Sequence, residues 1–248
     1  MTDRLGWRAR IGLLVPAFNT TTQPELESMR PAGVTNHVAR IDMPDGELRS
    51  DADQEEVIRS VGDDLYGSLK RVMLARPAAV IVGISIPAFW GGARGSLKLK
   101  GDLEAIAGVP VVLGSEACVA ALRCWPDARR LAVMTPYQPV GDAKVRIFFE
   151  DHGYEVVAIH SLLRPRGSAI AESDETMLRG GLDILAASQP DIIVQVGTNL
   201  AVADLVEKES ARLGLPIISI NTATYWQALR ELRLDDKRTG FGPLFAEF

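Results

Sequence analysis

Ile11-Gly12-Leu13-Leu14-Val15-Pro16-Ala17-Phe18-Asn19-Thr20-Thr21 is an apolar strand that runs into a polar turn, and the chain repeats the device at Leu131-Ala132-Val133-Met134-Thr135-Pro136-Tyr137. Each opening is answered by a later run. The first answer ends in Val82-Gly83-Ile84-Ser85, and the second is Ile192-Ile193-Val194-Gln195-Val196-Gly197-Thr198-Asn199. These runs are continuous in Val, Ile and Leu rather than alternating, as expected of strands buried on both faces of a parallel sheet. Further strand-like runs cover residues 37–42, 79–85, 109–113, 155–159 and 216–220. Helical patterns fall between them, at 23–29, 53–76, 97–106, 116–125, 140–151, 175–188, 201–213 and 225–233. Alternating strands and helices predict an α/β fold.

The repeat predicts the architecture: two pseudosymmetric, doubly wound parallel-sheet lobes with a cleft between them. The first lobe would span 1–115, completed by 223–248, and the second 116–222. Right-handed crossovers gather the loops after the strand C-termini on one edge, where such sheets bind ligands. With two lobes facing, the site falls between them. Residues 167–176 are polar and read as a loop free to move.

Composition narrows the function. The chain has 248 residues, 47% hydrophobic and 24% charged, the proportions of a globular protein. Its net charge of −5 and lack of a clustered basic face argue against a nucleic-acid partner. No apolar run approaches the ~18 residues needed to cross a bilayer. The polar start Met1-Thr2-Asp3-Arg4 offers no secretory leader. Two cysteines, Cys118 and Cys124, then fit a reducing cytoplasm as free thiols. His37, His152 and His160 are scattered and lack metal-ligand spacing. The oligomeric state is left open, and a homo-oligomer is compatible with the sequence.

The strand ends carry the candidate chemistry. Asn19, Thr20 and Thr21 place an amide and two hydroxyls at a helix start, suited either to a carboxylate or to capping the helix. Gly83-Ile84-Ser85 and Gly197-Thr198-Asn199 occupy equivalent strand ends. A glycine there permits close backbone approach, and neighbouring hydroxyl and amide groups can hold an oxyanion. The alternative is a tight turn and nothing more. Tyr137 sits where Asn19 sits in the first copy, and its phenol can donate to a carboxylate or deliver a proton; the alternative is a packed aromatic. Phe89 and Trp90 read as an apolar subsite or as core between the lobes. Thr222 or Thr224 is expected to cap the last long helix, with Trp226 packing it across the first lobe. Cys118 and Cys124 fall on a helix and read as structural.

Gly12-Leu13-Leu14-Val15-Pro16 with Asn19-Thr20-Thr21, the stretch from Val82 through Gly83, Ser85 and Phe89 to Gly92, and Gly240-Phe241-Gly242-Pro243-Leu244-Phe245 resemble the aspartate/glutamate racemase superfamily. Within it, they resemble the branch of maleate isomerases and arylmalonate decarboxylases. The resemblance covers nearly the whole chain. It implies a small carboxylate substrate, no cofactor and no metal. It also implies that Asn19, Ile84, Ser85, Tyr137, Gly197 and Thr198 hold the carboxylate through N–H and hydroxyl groups. One departure matters. The family places a cysteine at one or both of two facing strand ends, and here those positions are Gly83 and Val196.

Three readings follow. The first is a cofactor-independent decarboxylase of arylmalonate decarboxylase type. It uses an oxyanion site instead of thiols, with Tyr137 and Ser85 as catalytic groups. Asn19, Thr20, Gly83, Ile84, Val196, Gly197, Thr198 and Asn199 surround the substrate, and Phe89, Trp90 and Val196 form an apolar pocket. The second is a maleate-isomerase-like isomerase or a hydrolase working by a non-thiol route, with Tyr137, Ser85 or an acidic residue as base, Asp42, Asp45 and Glu47 being within reach of the cleft or else solvated loop charges. The third is a carboxylate-binding protein without turnover.

Overall fold

The computed structural model describes residues 3–248, the Asp63 side chain aside, so Met1 and Thr2 of the polar start lie outside the described residues. Among the described residues strands and helices largely alternate, in nineteen elements. The first half runs β1 (Ala9–Pro16), α1 (Thr22–Met29), β2 (Val34–Ile41), α2 (Asp51–Met73), β3 (Ala79–Val82), α3 (Ile86–Phe89), α4 (Gly92–Ala107) and β4 (Val111–Leu113). After α5 (Gly114–Leu122), the second half runs β5 (Arg130–Thr135), α6 (Pro139–Asp151) and β6 (Glu155–Ser161). A 3-10 turn (Ser168–Glu172), α7 (Glu175–Ala186), β7 (Ile192–Gln195), α8 (Val206–Leu213) and β8 (Ile217–Ser219) complete it. The chain closes with α9 (Ile220–Glu231) and α10 (Pro243–Glu247).

Two four-stranded sheets result, ordered β2-β1-β3-β4 and β6-β5-β7-β8, and every pairing is parallel. The matching orders are the pseudosymmetry expected from the repeat. The apolar runs explain themselves in the packing. Leu13, Val15, Val133 and Val194 face a core shared by the two halves. Leu14 and Val82 face outward against Leu65 and Leu69 of α2, and Ala132 and Met134 face Leu178 and Leu182 of α7. Both faces of each sheet are therefore dry, which selects unbroken apolar strands.

The strand and helix ends depart from the sequence reading at informative places. β3 stops at Val82, because Gly83-Ile84-Ser85 leaves the ladder and turns into the short α3. β2 begins at Val34, three residues before the expected start, through the polar stretch Thr35-Asn36-His37 that an edge strand tolerates. α9 begins at Ile220, with Ser219 at its N-cap. Thr222 and Thr224 consequently lie inside the helix, and Thr224 returns its hydroxyl to Ile220 O at 2.6 Å instead of capping. α9 packs on α5, α1 and the β3–β4 edge, and Trp226 is buried under Arg230. The segment expected to be a free loop, 167–176, is tied down: Gly167 abuts Phe18, and Ser168 N–H and Oγ donate to Asp45 at 2.8 and 2.5 Å.

Candidate active site

Four strand ends meet in one cavity of about 50 Å³ between the halves. Asn19 comes from the turn after β1, Ile84 and Ser85 from the end of β3, and Tyr137 from the end of β5. Gly197, Thr198 and Asn199 come from the end of β7. Each turn begins where its strand's last ladder bond is made. Gly83 N–H still donates to Leu14 O at 2.7 Å, and Val196 N–H to Met134 O at 2.9 Å. One residue later the ladder ends. Among the described residues, the N–H groups of Ile84, Ser85, Gly197 and Asn199 have no hydrogen-bond partner. Buried backbone N–H groups are rarely left so, because the lost hydration must be replaced. Four of them at two facing strand ends define a place for an oxyanion.

A chain of hydroxyls runs beside them. Thr198 N–H approaches Ser85 Oγ at 3.5 Å, Ser85 Oγ lies 2.5 Å from the Tyr137 hydroxyl, and Tyr137 donates to Val196 O at 2.7 Å. Since the phenol proton points at Val196, the Ser85 proton lies towards Tyr137. Burial pushes the Tyr137 phenol above its ordinary value, opposed by the Ser85 hydrogen bond and reinforced by Asp142. The phenol is thus protonated at neutral pH. Asp142 is itself held by Thr135 Oγ1 at 2.5 Å and by Ser161, and Thr135 Oγ1 accepts from Tyr137 N–H at 3.2 Å.

Other candidates are placed differently. Thr20 is exposed and off the cavity wall, and its N–H donates to Asn199 Oδ1 at 3.1 Å. The helix starts at Thr22, so the hydroxyl turned inward is Thr22 Oγ1, which donates to Thr198 O at 2.9 Å. Asn19 Oδ1 is engaged by Thr21 and Thr22 N–H at 3.0 and 2.9 Å, an Asx turn that starts α1 while Asn19 stays on the wall. Gly83 and Val196 lie behind the wall. A Cβ on Gly83 would sit 3.0 Å from both Leu14 O and Thr22 Cγ2, and Val196 is wholly buried. Thr198 Oγ1 donates to Gly83 O at 3.2 Å, across the halves.

The apolar wall is not the expected one. Phe89 is buried against Phe148, ring centroids 5.0 Å apart, and Trp90 lies under Lys144 at 5.5 Å. Phe18, Met43, Leu48, Val57, Ile86 and Ile170 form it instead. They come from loops and separate helices that sequence periodicity does not relate, and only the closed fold brings them together. Leu48 is pinned by its N–H to Pro165 O at 2.8 Å and by Gln138 Nε2 at its carbonyl. Gln54 from α2 joins this wall, which carries no charged side chain among the described residues. Asp42, Asp45 and Glu47 are exposed and off it, so none is placed as a base. Cys118 is fully buried in α5 with its thiol pushed up by burial, and Cys124 is half-buried; neither lines the cavity. Among the described residues no cluster of His, Cys, Asp or Glu could hold a metal, and no helix is long and apolar enough to cross a membrane.

Two polar side chains hold the halves together behind the site. Asn199 Oδ1 accepts from Thr20 and Thr21 N–H, and its Nδ2 donates to Gly167 O at 2.9 Å. Asn199→Ala strands Thr20 N–H and removes a bond from Thr21 N–H and from Gly167 O, at roughly 1–3 kcal/mol. We expect a melting temperature lower by several degrees, read by a thermal melt; an unchanged value would mean water takes over the contacts. Glu25 accepts from Val202 and Ala203 N–H, both at 2.9 Å, and from Asn221 Nδ2 at 2.7 Å, while Asn221 also donates to Thr198 O. Burial raises the Glu25 carboxyl to about 7, against these bonds, with Asp204 adding to the rise. A raised carboxyl contributes stability that is full below its unfolded value near 4.5 and is lost as pH climbs through about 7. Wild-type melting temperature should therefore fall relative to Glu25→Gln between pH 5.5 and 8. A parallel pair of curves would contradict it.

A two-lobed α/β protein with a cavity of unpartnered N–H donors at facing strand ends, and no charged lining side chain among the described residues, is the class this geometry defines. The family model described as arylmalonate decarboxylase matches residues 11–245, and the chain belongs to that family. The maleate isomerase of Pseudomonas putida is 26% identical over 96% of this chain and 97% of its own. The arylmalonate decarboxylase of Bordetella bronchiseptica is 28% identical over 78% of this chain and 80% of its own. Among solved structures, a cysteine-to-serine variant of the Nocardia farcinica maleate cis-trans isomerase, with a covalently bound succinylcysteine intermediate, superposes with a TM-score of 0.86. It is 23% identical and covers 96% of this chain and 98% of that one. The homologues are isomerases and a lyase, and this chain is an enzyme of that branch.

Proposed function

We propose that this enzyme decarboxylates a substituted malonate without a thiol. The observation that carries the reading is the group of unpartnered N–H donors on Ile84, Ser85, Gly197 and Asn199, set beside the Ser85–Tyr137 hydroxyl pair in a cavity with no charged wall. One carboxylate takes the N–H donors. The other faces Phe18, Ile86 and Ile170, where no cation compensates its charge, and the substituent faces Met43, Leu48, Val57 and Gln54. The bond from the α-carbon to that second carboxylate breaks and CO2 leaves. The electron pair moves into the held carboxylate, giving an enediolate that the N–H groups stabilise. Tyr137 then turns its proton from Val196 O to the α-carbon. Ser85 donates to the resulting phenolate until solvent restores the proton.

A second reading, cis–trans isomerisation of maleate, is favoured by the full-length similarity to the Pseudomonas putida enzyme. The isomerase structure above carries its intermediate on a cysteine, and no cysteine lines this cavity. That counts against the isomerase here. The test is to incubate the protein with phenylmalonate, butylmalonate and maleate and to follow products by NMR. The account expects CO2 and a monocarboxylate from a malonate. Fumarate from maleate without CO2 would replace it with the isomerase reading.

A further inference from the structure

The apolar wall of the cavity carries one polar side chain, Gln54, whose amide nitrogen has no partner among the described residues. Gln54 lies in the first turn of α2, where a capping box fixes the backbone: Ser50 Oγ accepts from Asp53 N–H at 3.2 Å, and Asp53 Oδ2 accepts from Ser50 N–H at 2.9 Å. The residue is 1% exposed and forms part of the wall beside Met43, Leu48 and Val57. Its Oε1 accepts from Gln138 N–H at 3.5 Å, which orients the amide and leaves Nε2 as the free end. Among the described residues Nε2 has no hydrogen-bond partner, yet it is not shut away from all open space, as Asn36 Nδ2 and Trp226 Nε1 are. A buried amide donor is costly to leave unmade. Among apolar neighbours, the space it can meet is the cavity.

We propose that Gln54 Nε2 is a specificity-determining donor, and that the substrate's substituent carries a neutral hydrogen-bond acceptor such as an ether or ketone oxygen. This rests on the malonate reading above and deepens it. The chemistry of the wall restricts the acceptor's charge. One neutral amide cannot compensate a buried carboxylate, which loses several kcal/mol of hydration without a cation. It does suit a neutral oxygen, whose hydration one good hydrogen bond replaces. A site built to hydrogen-bond its substrate also discriminates against the analogue lacking that group, because the site's own donor is then stranded.

The test uses ligands matched in shape. Butylmalonate, (2-methoxyethyl)malonate and (3-oxobutyl)malonate are titrated calorimetrically into the wild-type protein and into Gln54→Met, with CO2 release measured in parallel. The wild type should bind at least one oxygen-bearing ligand about three- to tenfold more tightly than butylmalonate, the range of one neutral hydrogen bond. In Gln54→Met that ratio should fall to about 1 or invert. Equal binding of all three by wild type overturns the assignment, and so does a preference that survives in Gln54→Met. Equal binding with faster CO2 release from Gln54→Met overturns it in favour of a contact to the leaving carboxylate. Selective binding without CO2 release removes the decarboxylase reading and leaves Gln54 as the selector. Binding of none of the three removes both. The wild-type comparison keeps the proposal falsifiable should the variant fold poorly.

Discussion

Tyr137→Phe is expected to lower kcat by about 10²–10⁴-fold, the range of a positioned proton donor, with a much smaller change in KM. Among the described residues the phenol oxygen hydrogen-bonds only with Ser85 Oγ and Val196 O, so its loss leaves the N–H donors of Ile84, Ser85, Gly197 and Asn199 in place. Substrate should still be held. What disappears is the proton for the α-carbon and the route by which Ser85 supports the phenolate. Ser85→Ala should cost less, since the Ser85 N–H remains. Steady-state kinetics on both variants separates the two effects. A Tyr137→Phe enzyme with unchanged kcat would place the proton donor elsewhere.

The second large effect is expected from Gly197→Val. A Cβ at Gly197 would stand 2.8 Å from Pro136 Cδ and 2.9 Å from Pro136 Cγ, and 3.1 Å from Leu200 Cδ1. The proline ring cannot turn aside as a flexible chain would. The turn must therefore shift, moving the N–H groups of Gly197 and Asn199 and pressing on the residue that precedes Tyr137. Loss of one oxyanion donor is worth about 10²–10³-fold in kcat. Here two donors and the phenol are disturbed together, so kcat/KM should fall by at least 10²-fold. Overpacking should also cost roughly 1–3 kcal/mol, or several degrees of melting temperature. Circular dichroism melts alongside kinetics distinguish a displaced turn from an unfolded chain. Near-normal activity would show that the β7 turn is not part of the site.

How much of this was legible beforehand depended on the physics behind each signal. The fold was legible because burying both faces of a sheet leaves a local trace, the unbroken runs at Leu13–Leu14–Val15 and Ile192–Ile193–Val194. The repeat then related the two halves. The strand ends were legible for the same reason: Ser85, Tyr137 and Thr198 follow directly from where the strands stop. A shift of one or two residues was enough to mislead at Thr20, where the helical frame turns Thr22 inward instead. The apolar wall left no trace. Met43, Leu48, Val57 and Ile170 lie on separate loops and helices and converge through bridging contacts such as Leu48 N–H to Pro165 O. Phe89 carried a strong aromatic signal but spends it on Phe148 and Phe149. Gln54 and Glu25 are polar residues within helical segments and carry no local signal; only the packed structure shows Gln54 enclosed and Glu25 held by Val202, Ala203 and Asn221.

The most direct test of the central claim is turnover of phenylmalonate and butylmalonate in D2O by the double variant Cys118→Ala/Cys124→Ala, which contains no thiol. The account predicts CO2 release at a rate close to wild type, with one deuterium at the α-carbon of the monocarboxylate product. Loss of that activity in a correctly folded double variant, while wild type retains it, would contradict a thiol-independent oxyanion mechanism.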